Sequence, residues 1–331
     1  MKKSLKAIIA ICLVVVLAGT IFAACSGQKE ETGEKKYTIG VCQWMEHEAL
    51  GAATNGFVAA IYEKLGRENV TIDIHNAQND SGNCTTIINQ FVSKGVDLIM
   101  ANATPVLQTA ASATDKIPVV ATAITEYGVA LNRTLNDGKT GINVTGTSDL
   151  PPLDQQAAMI KEILPDTKTV GIIYCSREDN SKYQVDEVTK YLEEDGIKVT
   201  AYSFAEATEL QAITEKAVAE NDALYIPTDN TAADATDIID AVARPAKCPV
   251  FAGEEGICRG CGIVTLSISY YDLGYKTGEM AAEIILEGKN PGDMTIEYAP
   301  QFTKKYNPVI CEALGIPAPE GYEALEIEVA E

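Results

Sequence analysis

From Tyr37 onward, short runs rich in Val and Ile alternate with longer runs carrying Ala, Leu and charge at helical spacing. The series runs twice. In the first pass, predicted strands at 37–41, 71–77, 96–101 and 119–122 alternate with predicted helices at 51–65, 85–93 and 105–114. A break rich in Asn, Gly and Thr follows at 132–148. In the second pass, strands at 169–174, 198–202, 223–226 and 249–252 alternate with helices at 182–195, 209–219 and 231–243. Such alternation implies parallel sheets flanked by helices, because parallel strands need a long crossover and a helix supplies it. The halves echo each other: Thr38-Ile-Gly-Val41 matches Thr169-Val-Gly-Ile172, and Ile117-Pro-Val-Val120 matches Cys248-Pro-Val-Phe251. We therefore expect an α/β protein of two Rossmann-like lobes with a central cleft.

The tail adds a strand at 262–267, a helix at 273–286, a strand at 294–298 and a helix at 307–314. The chain then crosses between lobes more than once, and the crossings form a hinge. The expected division is 37–146 with 255–292 in lobe 1, and 147–254 with 293–331 in lobe 2. A length of 331 residues suits two ordinary domains of ~150 residues.

The first residues read as an address. Met1-Lys-Lys-Ser-Leu-Lys6 is basic, and an apolar core of 12 residues runs from Ala7 to Ala18. A membrane span needs ~20 apolar residues, so 1–24 reads as a secretory signal. Phe22-Ala-Ala-Cys25 resembles a bacterial lipobox, with Phe where Leu is usual, and marks Cys25 for lipidation. Residues 25–36 are polar, charged and aperiodic, as a tether is. The chain has 47 acidic against 26 basic residues, a net charge of −21. That balance argues against a nucleic-acid partner, which needs a basic face. It also leaves the lipid anchor as the one expected contact with membrane.

Of nine Cys, Cys12 falls in the signal and Cys25 is assigned to lipid. The other seven (Cys42, Cys84, Cys175, Cys248, Cys258, Cys261 and Cys311) are odd in number and scattered, unlike a disulfide framework. Cys258-Arg-Gly-Cys261 is a CxxC without a second CxxC or a nearby His, so buried thiols are a better reading than zinc or redox chemistry. Two His residues are too few for a His-rich metal site. No GxGxxG, Walker loop, GxSxG or Ser/His/Asp arrangement occurs, so neither an enzyme nor a cofactor is expected.

Ligands bind outside the carboxyl ends of strands in open parallel sheets. In lobe 1 those ends carry Gln43, Trp44, Asn76, Asn102, Thr104, Thr122 and Thr125; in lobe 2 they carry Tyr174, Ser176, Asp229, Asn230 and Glu254. Thr104 before Pro105 reads as a helix N-cap whose free N–H groups suit a carboxylate. Asp229 or Glu254 suits an ammonium, and Trp44 with Tyr174 suits a ring between them. Bland readings stand beside these. Asp229-Asn230 also fits a simple helix cap, Asn76 a turn, Trp44 lobe packing, and His47 an ordered loop.

The chain resembles the ABC-transporter substrate-binding proteins of the tryptophan/tyrosine-uptake group, built on the type I periplasmic-binding-protein fold. The resemblance rests on Gly40-Val-Cys-Gln43, His47-Glu-Ala-Leu50, Asn76-Ala-Gln-Asn79, Val96-Asp-Leu-Ile99 with Ala103-Thr-Pro105, and Ile117-Pro-Val-Val120. It continues through Asn143-Val-Thr-Gly146, Pro227-Thr-Asp-Asn230, Pro249-Val-Phe-Ala-Gly253 and Tyr270-Tyr-Asp-Leu-Gly274. One departure is Thr125-Glu-Tyr-Gly128, where family members usually carry Asp-Pro. The resemblance implies a monomeric, lipid-anchored receptor on the extracytoplasmic face. It would close on an aromatic amino acid and deliver it to an ABC permease. A nucleoside or sugar receptor of the same fold, and a surface adhesin role, are the alternatives. No basic helix-turn-helix precedes Tyr37, which argues against a repressor of this fold.

Overall fold

A computed structural model describes residues 36–327. Residues 1–24, read as a signal, Cys25, and the expected tether up to residue 35 lie outside the described residues, as do 328–331.

Two sheets carry the body. The first has the order β11-β5-β4-β3-β1-β2, with β1 (Tyr37–Gln43), β2 (Val70–Asn76), β3 (Leu98–Asn102), β4 (Val119–Ile124), β5 (Val144–Ser148) and β11 (Glu297–Tyr298). All its pairings are parallel. The second has the order β13-β12-β10-β9-β8-β6-β7, with β6 (Thr169–Cys175), β7 (Lys198–Phe204), β8 (Ala223–Ile226), β9 (Val250–Ala252), β10 (Val264–Ser267), β12 (Thr303–Tyr306) and β13 (Glu323–Ala324). Here β12 runs antiparallel to β10. The sequence echo is thus a topological one: β2-β1-β3-β4 and β7-β6-β8-β9 are the same arrangement.

Central strands are buried on both faces, which explains why they read as unbroken apolar runs. β3 (LIMAN) and β4 (VVATAI) have no exposed residue, whereas edge strand β2 (VTIDIHN) carries Asp73 and His75. The helices covering the first sheet are α1 (Glu48–Leu65), α2 (Ser81–Lys94), α3 (Thr104–Ala113), α4 (Tyr127–Ala130) and, from the tail, α11 (Tyr270–Glu287). Those of the second are α5 (Leu153–Ile163), α6 (Asp179–Glu194), α7 (Leu210–Glu220), α8 (Asn230–Asp234), α9 (Thr236–Ala243), α10 (Glu255–Gly260) and α12 (Pro308–Leu314). Asp80 caps α2 through the Asn83 N–H, and Asn307 caps α12 ahead of Pro308. Phe57 and Phe91 are fully buried in lobe 1, each contributing roughly 1.5–3 kcal/mol.

Helices α1 and α11 cross at glycine. A Cβ on Gly274 would stand 1.9 Å from the Ala53 carbonyl oxygen, and one on Gly56 would stand 2.0 Å from that of Tyr271. Only hydrogen at both places lets the backbones approach this closely.

Three features differ from the expected layout. Residues 255–267 belong to the second lobe, not the first: Val264 and Thr265 pair with Phe251 and Ala252, and the fully buried run of β10 completes that sheet. Residues 297–298 belong to the first sheet, paired with Thr147 and Ser148. The crossings are therefore 149–152, 268–269 and 299–302. The expected break at 132–148 also contains β5, and α5 follows it. Its Thr, Gly and Ser obscured a strand in the sequence.

Candidate functional site

Strand ends from both sheets converge on one small space of about 10 Å3. That is room for about one water, so a ligand needs these walls to move apart. β1 leads into it through His47, the N-cap of α1. The imidazole caps nothing; its Nε2 lies 3.1 Å from Asn230 Oδ1, across the cleft. Burial holds its pKa below the ordinary value, so the ring is neutral at pH 7. β4 contributes Ala123 at φ 54, where the register against β5 shifts. A left-handed alanine costs ~1–2 kcal/mol, strain of the kind that gathers at binding sites.

Three buried carboxyls line the space. Asp149 follows β5 directly; Tyr270 Oη donates to one oxygen at 2.9 Å and Thr125 Oγ1 to the other at 3.2 Å. Burial is the largest influence and pushes its pKa up to about 6. Asp229 accepts from the Cys175 N–H at 2.6 Å and from the Ala232 N–H at 2.8 Å. Burial, then the Glu178 charge, raises it to about 8. Glu254 accepts from the Gly256 and Ile257 N–H groups at 2.7 and 2.5 Å, and burial raises it to about 7. No Lys or Arg is among the residues lining the space. The remaining walls are apolar or neutral: Ala49, Leu50, Ala233, Thr228 and the Tyr270 ring.

The lobes touch around it. Besides His47 and Asn230, Asn79 Nδ2 reaches Thr231 Oγ1 at 3.4 Å, Gln108 Nε2 reaches Asp179 Oδ2 at 2.8 Å, and Arg259 pairs with Glu48 at 2.9 Å. Wider openings flank the space. One, lined by Trp44, Gln108 and Arg177, has about 550 Å3; the other, beside the crossings, is lined by Tyr271, Tyr298 and Lys305 and has about 660 Å3.

Residues 38–329 match the family model of ABC transporter substrate binding proteins. The chain belongs to this family. A curated relative, the tyrosine-binding protein of Clostridioides difficile (strain R20291), is 35% identical over 303 residues, covering 88% of this chain and 87% of the relative. Among solved structures, an ABC domain from Streptococcus pneumonia in complex with L-Trp has a TM-score of 0.83 at 32% identity, over 88% of this chain and 99% of that one. A ligand-free, open substrate-binding protein with adhesive properties from Clostridium difficile has a TM-score of 0.68 at 35% identity, over 88% and 100%.

In this substrate-binding protein, three of the residues proposed from the sequence line the enclosed space: Asp229, Asn230 and Glu254. Both acids also cap helices, α8 and α10, so the bland capping reading holds alongside. Thr125 touches the space through Asp149. The others lie elsewhere. Gln43 accepts from Thr54 Oγ1 and Asn102 donates to Leu50 O and Thr54, both holding α1 against the sheet. Asn76 accepts from the Gln78 N–H and fixes a turn. Thr122 shares a hydroxyl contact with Thr147, and Ser176 donates to Phe204 O. Thr104 is not the N-cap of α3; Ala103 is, at φ 87, and it has no side-chain oxygen to offer. Trp44 faces a flanking opening while Tyr174 packs against the core of lobe 2, so the two do not sandwich a common space. His47, expected to order a loop, lines the cavity. Asp149 and Tyr270 also line the space and are not among the binding residues proposed from the sequence. The signal for Asp149 was available: an Asp directly after Val144-Thr-Gly-Thr-Ser148 obeys the same strand-end rule.

All seven cysteines among the described residues are free and buried. Among those residues no group of three or more His, Cys, Asp or Glu is placed to hold a metal.

Proposed function

We propose that this chain captures a free aromatic amino acid between its lobes and delivers it to an ABC permease. The carrying observation is Asp149. A buried carboxyl whose side-chain partners are two hydroxyls, in a space lined by no basic side chain, suits an ammonium group. Glu254 adds negative potential from the opposite wall as pH rises through about 7, and Asp229 as it rises through about 8. The ligand carboxylate then meets neutral donors, the His47 ring, the Asn230 amide and the Thr228 hydroxyl. Once the walls have moved apart to admit it, its side chain lies against Leu50 and the Tyr270 ring, in place of the Trp44 and Tyr174 pair.

The tyrosine-binding relative and the L-Trp complex support the ligand class. Identity to the complex and to the ligand-free, open protein is almost equal, yet the chain overlays the complex better, 0.83 against 0.68. That difference supports a hinge mechanism in which ligand favours the closed arrangement. Cys25 carries a lipid that holds the body at the extracytoplasmic face, and residues 25–36 are the tether.

A thermal-shift panel on the body from residue 26, refolded to remove carried ligand, tests the reading. At 100 times its dissociation constant a ligand adds ~2.7 kcal/mol, a shift of several degrees. Tyrosine, tryptophan or phenylalanine should produce it. A shift with nucleosides or sugars alone would replace the ligand class and leave the fold intact.

A further inference from the structure

Arg259 stands inside Cys258-Arg-Gly-Cys261, a motif that ligand capture leaves without a role. Its guanidinium reaches back one helical turn to Glu255 Oε1 at 2.8 Å and forward across the cleft to Glu48, at 2.9 and 3.2 Å to the two carboxylate oxygens. This is a two-point guanidinium–carboxylate pair, the stronger kind of charge-assisted contact. Glu48 opens α1 and follows His47; Glu255 opens α10 and follows Glu254. One arginine therefore ties together the two wall segments that carry cavity residues from opposite lobes. Without its charge, Glu48 would approach Glu254 and Glu255 with only Lys305, 2.7 Å from the far oxygen of Glu255, to offset them, and like charges resist that approach. The Glu48 carboxylate already contributes to the raised pKa of Glu254.

We propose that Arg259 is the positioning residue for closure, bridging Glu48 to Glu255 so that the acidic lips of the cavity can meet. The ion pair belongs to the closed arrangement, so its loss should speed ligand release more than it slows capture. This rests on the amino-acid reading of the cavity, but the test separates the two.

Glu48→Gln is the cleaner variant, since its side chain is half exposed and Arg259 is its hydrogen-bond partner. Arg259→Gln and the double variant complete a cycle. Interlobe distance is read by fluorescence transfer between dyes on the two lobes, with and without tyrosine, and tyrosine release by stopped flow. Each single variant should shift the ligand-free distance distribution toward the open form and raise the release rate about threefold to tenfold. The double variant should do no more than either single one, and 0.5 M salt should erase most of the difference from the parent chain. Unchanged distance distributions in both single variants, or losses that add in the double, would overturn the proposal. If the parent binds no aromatic amino acid, the ligand reading fails, and the ligand-free distances still decide the role of Arg259.

Discussion

Asp149→Asn should weaken ligand binding while leaving the unliganded protein as stable as before, or more so. Asparagine keeps the shape and can still accept from Tyr270 or Thr125, but it cannot pair with an ammonium. A hydrogen bond to a charged group is worth ~1.5–3 kcal/mol, so the dissociation constant should rise about 10- to 150-fold. Stability should move the other way. Burial carries the Asp149 pKa from 3.8 to about 6, so the folded state binds its proton more tightly than the unfolded chain. The stabilising effect of that proton is fully present below pH 3.8 and is lost as pH rises through about 6. At pH 7.5 the ionised form therefore costs on the order of 3 kcal/mol, which the neutral amide avoids. Calorimetric titration of the stripped body with tyrosine or tryptophan at pH 7.5, beside its melting curve, reads both quantities. Binding within twofold of the parent would remove Asp149 from the ligand. A melting point lowered by several degrees would recast it as a structural link between Thr125 and Tyr270.

The same carboxyls make binding depend on pH. Asp149, Glu254 and Asp229 are raised to about 6, 7 and 8, so tyrosine affinity should climb between pH 5 and 8 with protons released on binding; a flat profile in two buffers of different ionisation heat would contradict this. Over that range the unliganded body should lose stability, because each raised pKa contributes less as its proton leaves. Gly274→Ala should lower unfolding free energy by ~1–3 kcal/mol in a urea titration, since its methyl meets the Ala53 carbonyl across the α1–α11 crossing. Cys25→Ala should move the protein from the membrane fraction to the medium, and mass spectrometry of the parent should find a lipid on Cys25.

The two-lobe layout was legible because parallel strands buried on both faces and amphipathic helices leave different periodicities. Lobe membership of short strands was not. Nothing in Val264-Thr-Leu-Ser267 says which sheet it completes, and β9 rather than its neighbour in the chain, α11, decides it. Site residues divided on a similar ground. Asp229 and Glu254 stand just past their strands, where direction matters little. Gln43, Asn102 and Tyr174 lie within strands, where alternate residues face opposite sides. In fully buried runs such as β3 the pattern does not reveal which side is which. Gln43 and Asn102 turn toward α1, and Tyr174 toward the core of lobe 2.

A crystal structure of the body grown with the amino acid that gives the largest thermal shift tests the central claim most directly. The account places the ligand nitrogen ~2.7–3.2 Å from an Asp149 oxygen, with the ring against Tyr270 and Leu50 and the Arg259–Glu48 pair intact. A ligand seated instead beside Trp44 in the flanking opening, with Asp149 touching only Tyr270 and Thr125, would contradict it.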